Sequence, residues 1–256
     1  MIVDAFLYAG ERECLDIRVH ELAGVVGFHV ALECDRTFTN QPRAVVGVDA
    51  PNVLHGVVSL GDGITDPWQR EAVQRNTLLL GLETCADDDI ILLGDADEIP
   101  GAAAMREAVA LAAQGHQVAF EQALCLYYVN NVEFTQRWRG TQAVRYDLLK
   151  RLTPQGVRDR RNVTPYVVPN GGWHFSSLVL DDPVGRLTAK IQSFSHQEVN
   201  RPEVLDPANI RERVALGQDI QGRTDVRFKV ERNPSLPRYV TENKERLAHL
   251  FYPGSL

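Results

Sequence analysis

The sequence predicts an α/β fold with a mostly parallel central sheet, and three observations carry that prediction. Strand-like and helix-like segments alternate over the first hundred residues in the manner of a β-α-β half-domain. The run Ile90-Ile91-Leu92-Leu93 has the continuous apolar character of a strand buried on both faces. It leads into Gly94-Asp95-Ala96-Asp97-Glu98-Ile99-Pro100, placing carboxylates at a strand's carboxyl end, where open α/β sheets bind ligands.

Each element follows from local pattern. Residues 1–8 alternate as a first strand, and 11–22 carry helical spacing through Cys14, Ile17, Arg18, Glu21 and Leu22. Residues 25–33 form a valine-rich second strand, 44–48 a short third and 53–60 a fourth. Asp66 caps a helix that begins at Pro67 and runs to Glu83. Pro100 permits a new helix, alanine-rich and ended by Gly115. Segments 117–130, 132–138 and 141–149 read as strands. Gly171-Gly172-Trp173-His174 reads as a loop whose glycines let the backbone approach a ligand. Helices are expected over 182–190, 207–217 and 239–250.

At 256 residues, 44% of them hydrophobic, the chain is expected to form one domain over 1–256. Residues 1–100 would be its nucleotide-binding half and 101–256 its acceptor half. No run is long enough to span a membrane, and the start lacks a signal peptide's basic region, so a cytoplasmic protein is expected. Cys14, Cys34, Cys85 and Cys125 are scattered, as suits reduced, packed thiols. Neither glycine-rich nucleotide motif is present, which disfavours dinucleotide and P-loop chemistry. A net charge of −7 disfavours a dedicated nucleic-acid binder. Still, Arg137 to Arg161 holds eight basic residues against two acidic ones, a composition that suits equally a solvated basic face or a groove for an anionic donor or acceptor.

An Asp-x-Asp pair can hold a hard divalent cation, and the cation a diphosphate. The plain alternative is a solvated acidic turn; the apolar strand before Asp95 and the proline after Asp97 favour the first reading. Trp173 offers an aromatic face for a sugar or base, and His174 a group for proton transfer. Two other classes use the same residues. A metal-dependent phosphohydrolase or nuclease would need a richer ligand set to hold two metals. A catalytically silent sugar-binding protein would keep Trp173 without needing both aspartates.

An ordered set of motifs spans nearly the whole chain. It comprises Glu11-Arg12-Glu13-Cys14-Leu15-Asp16-Ile17-Arg18 with Glu21-Leu22, then Trp68, Arg70-Glu71 and Gln74-Arg75, then Gly94 to Pro100. Gly172-Trp173-His174 with Ser176, Lys190, His196, Asn209-Ile210-Arg211, Gly217 and Leu236-Pro237-Arg238-Tyr239 complete it. This set resembles glycosyltransferase family 17, whose members include the enzyme that adds bisecting N-acetylglucosamine to N-glycans. The resemblance implies a GT-A-type, Rossmann-like nucleotide-sugar-binding sandwich and a metal-dependent, inverting transfer. The donor would be UDP-linked, carrying N-acetylglucosamine or another hexose. The acceptor hydroxyl would lie on a glycan, a small metabolite or a modified DNA base, with no membrane partner. Mn2+ or Mg2+ would sit on Asp95, Asp97 and His196. Phe6, Tyr8, Arg70, Arg75, Asp95, Ala96 and Lys190 would bind the donor, and Gly172, Trp173 and Glu121 the acceptor. Catalysis would fall to His174, Asp97 and Glu98, with His174 as base and Glu98, Glu121 and Asp182 as its rivals.

Overall fold

The computed structural model describes residues 1–178 and 182–255. Its centre is a parallel block of β1 (Ile2–Leu7), β2 (Phe28–Cys34), β3 (Val53–Val58) and β4 (Ile90–Asp95), in the order β3-β2-β1-β4. Side chains alternate across these strands, so both faces are apolar. Val3, Ala5 and Leu7 share one buried cluster with Val30, Leu32, Ile91 and Leu93. Ile90 and Leu92 join the cluster on the opposite face. The continuous apolar run in β4 is thus explained by burial on both sides.

Beyond β4 the sheet becomes antiparallel. β8 (Trp138–Arg145) pairs with β4, β6 (Val118–Leu126) with β8, β7 (Asn131–Glu133) with β6, and β10 (Phe228–Val230) with β7. The long β9 (Tyr166–Ser176) runs parallel to β6 and also pairs, antiparallel, with the short β5 (Glu98–Pro100). The α/β class and the parallel centre match the sequence reading, and the antiparallel half adds what periodicity did not specify.

The helices are α1 (Arg12–Glu21), α2 (Pro67–Thr77), α3 (Met105–Ala113), α4 (Tyr146–Leu152), α5 (Pro154–Asp159), α6 (Pro183–Ser193), α7 (Pro202–Leu205), α8 (Pro207–Ala215) and α9 (Arg238–Glu242). Asp66 caps α2 by accepting the Gln69 N–H at 2.8 Å, and the helix continues as a 3₁₀ turn over Leu78–Leu82. Leu78, Leu82, Leu149 and Val157 cover one sheet face, while Met105, Ala108 and Ala112 cover the other. All four cysteines are buried and unpaired, as expected.

Several local readings are corrected. Residues 44–48 form no strand, because the N–H groups of Val46 and Gly47 are taken by the buried Glu33 carboxylate. The segment 141–149 is strand only to Arg145; the Tyr146 N–H then donates to the Asp89 carbonyl, and α4 begins. The expected strand over 132–138 is cut short after Glu133, whose side chain gathers the N–H groups of Thr135 and Gln136. The terminal helix over 239–250 splits into α9 and a 3₁₀ turn, Ala248–Leu250. Gly171-Gly172-Trp173-His174 is not a loop but the middle of β9.

Candidate functional site

The site forms where β1 and β4 end. Leu7 lies opposite Asp95, and the Ala96 N–H donates to the Leu7 carbonyl at 3.1 Å, so the turn after β4 closes onto β1. From below, Arg18 of α1 holds that turn. Its Nε and Nη2 each donate to Asp4 at 2.7 Å, and its Nη1 donates to the carbonyls of Asp95 (2.9 Å) and Glu98 (2.7 Å). Asp4 is fully buried and also bonded to His29, its parallel neighbour on β2. Burial by itself would raise the Asp4 pKa, but Arg18 and His29 outweigh it and hold the carboxyl at about 2.

From the side, β9 zips along β5. Glu98 faces His174, Ile99 faces Trp173, Pro100 faces Gly172, and the Phe175 N–H donates to the Asp97 carbonyl at 2.8 Å. The approach is close enough to require glycine. Gly172 has φ +132°, and a Cβ there would stand 2.1 Å from the Ile99 carbonyl. This strand pairing is what carries His174 to Asp97.

The two aspartates meet different surroundings. Asp95 accepts from Arg75 Nη2 and from Arg158 Nη2, each at 2.8 Å and on different oxygens. Burial pushes its pKa up, yet the guanidinium groups of Arg158 and Arg75 hold it well below the usual carboxylate range. Glu98, 1% exposed, accepts two bonds from Arg158, one from Trp138 Nε1 at 2.7 Å and one from the Asp95 N–H. Burial lowers the Arg158 pKa, but Asp95 and Glu98 more than compensate, so it is raised. Asp97 has instead His174 Nε2 at 3.4 Å and Lys190 Nζ at 3.9 Å from its Oδ2. Burial opposes its ionisation, and His174 and Lys190 outweigh burial, so its pKa is lowered too. Lys190 lies on α6, which reaches α2 through a hydrogen bond from Ser195, just beyond its end, to Glu71.

Glu11, at the start of α1, has a raised pKa from burial and from the charge of Asp97. The Trp138 ring stands 4.7 Å from the His174 ring, and the Arg161 guanidinium lies 5.4 Å over Trp138.

Several residues expected at the site have other partners in this geometry. Arg70 is buried with its guanidinium on the carbonyls of Leu60, Gly61 and Ile64, so it braces the loop before α2 instead of facing a phosphate. Arg75 is committed to Asp95, Glu71 and Gln155. Phe6, Tyr8 and Ala96 are core residues of one cluster with Leu15 and Val19, and Phe6 lies beneath the Arg18 guanidinium. Trp173 is 9% exposed, bonded through Nε1 to the Ser235 carbonyl and packed with Phe175, so it presents no free face to a sugar. Gly172 serves the β5–β9 contact. Glu98 is buried, with both carboxylate oxygens occupied by donors. Asp182 caps α6 by accepting the Gly185 N–H. Glu121 sits half-buried on β6 opposite Arg139 and, among the described residues, has no hydrogen bond to the turn.

Two of the expected metal ligands, His196 and Asp95, have other partners here. His196 is bonded to Glu198 at 2.6 Å, rests against Trp68 and has a side chain 55% exposed. Both Asp95 oxygens are taken by arginine. Among the described residues no three His, Cys, Asp or Glu side chains gather as a metal cage. What does fit a cation is the pair Asp97 and His174. Adjacent ligands of an octahedral ion bound at about 2.1 Å stand about 3 Å apart, and Mg2+-type ions take their remaining positions from water and substrate phosphate. The 3.4 Å separation of Oδ2 and Nε2 is of that size.

Sequence reasoning passed over the working roles of Arg18, Trp138, Arg158 and Arg161. Arg18 stood within a family-like motif and Arg158 within the basic segment, but each meets Glu98, 80 and 60 residues away; Arg161 contacts Trp138 within the basic segment itself. The basic segment is not one groove. Arg145 and Arg151 pair with Asp147, and Lys150 with Asp87, at the opposite end of β4 from Asp95.

No described helix is long and apolar enough to cross a membrane. No curated protein matches the sequence. Among solved structures the chain is similar to 4-diphosphocytidyl-2C-methyl-D-erythritol synthase, with 15% identity and a TM-score of 0.36, covering 73% of this chain and 97% of that one. The fold described above stands on its own strand order. The family model described as Glycosyltransferase family 17 matches residues 1–255, a span that includes β1, the Asp95 turn, the β5–β9 pairing and α6. A transferase motif set carried from end to end, folded so that its acidic turn closes the ligand-binding edge of the sheet, leaves one assignment: the chain belongs to glycosyltransferase family 17.

Proposed function

We propose that this glycosyltransferase moves a hexose or N-acetylhexosamine from a nucleoside-diphosphate donor, UDP-linked, to an acceptor hydroxyl with inversion, and that the diphosphate binds beside Asp97. One observation supports this above the others. Of the two aspartates in the motif, only Asp97 keeps a carboxylate facing groups that suit a phosphate site, His174 and Lys190. A divalent cation, Mn2+ or Mg2+, held by Asp97 and His174 would supply positive charge to the departing diphosphate. Lys190 places a second positive charge at the same carboxylate.

In an inverting transfer the acceptor oxygen bonds to the anomeric carbon while the bond from that carbon to the phosphate oxygen breaks. The electron pair leaves with the diphosphate, and the hydroxyl proton goes to a base. Asp95 shapes the turn through Arg75 and Arg158.

The test is release of nucleoside diphosphate from UDP-, GDP- and dTDP-sugars with and without Mn2+. The expected result is metal-stimulated release from a UDP-sugar that Asp97→Ala abolishes. Equal release without metal would remove the cation from the reading. Hydrolysis of simple phosphoesters with no turnover of any sugar donor would overturn the proposal.

A further inference from the structure

We propose that Arg161 is a second diphosphate-binding residue, approaching the donor from the Trp138 side of the site; this deepens the reading above and rests on it. The arginines near the turn otherwise have their charges answered. Arg18 is bound by Asp4, Arg75 by Asp95 and Glu71, and Arg158 by Asp95 and Glu98. Arg161 differs. Its one side-chain hydrogen bond among the described residues runs from Nη1 to the Arg158 carbonyl, at 3.4 Å, and no described carboxylate lies within ion-pair distance.

Its surroundings are those of a binding group more than of a solvated surface charge. Arg161 is half-buried, with its guanidinium over the Trp138 ring. Trp138 in turn is fixed by its Nε1 bond to Glu98 and by contact with the His174 ring, which faces Asp97. Stacking on an indole steadies the guanidinium while leaving its N–H edges available. Those edges match the spacing of phosphate oxygens and bind them bidentately. Burial and the nearby Arg158 lower the Arg161 pKa more than the charges of Glu98 and Asp95 raise it. An anion arriving from solution would offset the cost of that burial. A diphosphate suits the position because the same aromatic and histidine contacts lead directly to Asp97.

The experiment is calorimetric titration of the full chain with inorganic pyrophosphate and with UDP, at low and fixed ionic strength. Wild type should bind both. Arg161→Gln should weaken both by tenfold or more, and Arg161→Lys by less, because it keeps the charge but not the fork. Arg137→Gln, an exposed member of the same basic segment, should bind as wild type does. Thermal melting separates binding from folding. Removing a cation with no carboxylate partner should leave the melting temperature unchanged or raise it. Wild-type binding matched within twofold by Arg161→Gln would overturn the Arg161 assignment alone. A fall in melting temperature that accounts for the lost binding would also overturn it. If wild type binds neither probe, the diphosphate site itself falls.

Discussion

Asp95 and Asp97 stand two residues apart in one turn, and the protein gives them opposite surroundings. Around Asp95 the charges are matched at short distance: Arg75 and Arg158 each reach it, and Arg158 also satisfies the buried Glu98, although the Asp95 side chain itself is 29% exposed against 15% for Asp97. Around Asp97 the contacts are longer, at 3.4 and 3.9 Å, and come from a strand and a helix joined late in the chain. Paired, hydrogen-bonded charges specify geometry at a desolvation cost. Loosely met charges leave room for a ligand to complete them. The turn is therefore read as half scaffold and half site, and the motif's symmetry in sequence conceals a division of labour in space.

The comparison breaks most readily at Arg158. Arg158→Met removes the cation that both Asp95 and Glu98 face, leaving Glu98 buried without a counter-charge. The expected loss is about 3–5 kcal/mol of folding stability, the range for breaking one side of a buried ion pair. Urea denaturation would measure it, and the melting temperature should fall by roughly 10 °C for a chain of this size. A loss below about 1 kcal/mol would mean that the Asp95 side is not scaffold.

Asp97→Asn should behave in the reverse way. It keeps the shape and removes the charge that faces His174 and Lys190. Sugar-nucleotide turnover should fall about 10²–10³-fold, the scale for removing one preorganised electrostatic contact. The melting temperature should stay close to wild type. If Asp97→Asn unfolds the protein while Asp95→Asn spares it, the two roles have been assigned the wrong way round.

Some of this division was legible in the sequence, and the limit has a physical cause. The strand before Asp95 was readable because burial on both faces leaves an unbroken apolar run. The Asp66 cap and the end of α3 at Gly115, with φ +90°, were readable because they are local chemistry. Gly171-Gly172 looked like a loop because glycine weakens any strand assignment. The actual cause is close packing from distant neighbours: a Cβ at Gly172 would meet the backbone of β5, and one at Gly171 would meet Phe120 of β6. The same holds for Arg158 and Trp138: their types and positions were visible, but their partner Glu98 lies 60 and 40 residues off. Val45 and Val46 misled in the other direction. They have strand composition, yet they stand exposed while the Glu33 carboxylate holds the Val46 N–H. Local pattern reports burial and caps; it does not report which distant charge a side chain will meet.

Acid should expose a third, intermediate effect. Asp4 has a folded-state pKa of about 2 against an ordinary 3.8, held down by Arg18 and His29 against the effect of burial. The unfolded chain therefore binds a proton first as the pH falls. The stabilisation is complete above about pH 4 and is lost as the pH drops through about 2, an effect on the order of 2 kcal/mol. Urea midpoints measured from pH 5 to pH 3 should fall in wild type. Asp4→Asn should start lower, because Arg18 is left without its carboxylate, and should fall less steeply. Parallel slopes for the two proteins would show that the network beneath the turn is not a source of acid sensitivity.

The smallest effect on stability is expected at Lys190, and it sharpens the contrast most finely. Its amine lies 3.9 Å from Asp97, and its side chain is 41% exposed. Pairs of that kind contribute about 0–1 kcal/mol, because solvent screens them and a long side chain must be ordered to make them. Lys190→Met keeps the apolar stem along α6 and should change the urea midpoint little. Removing a positive charge beside the diphosphate should nevertheless raise KM for the sugar nucleotide several-fold, with a weaker dependence on salt than wild type shows. The two readouts must separate for the Asp97 half of the turn to be a site. Stability and KM that move together would make Lys190 another part of the scaffold, and the line drawn between Asp95 and Asp97 would have to be moved to the far side of α6.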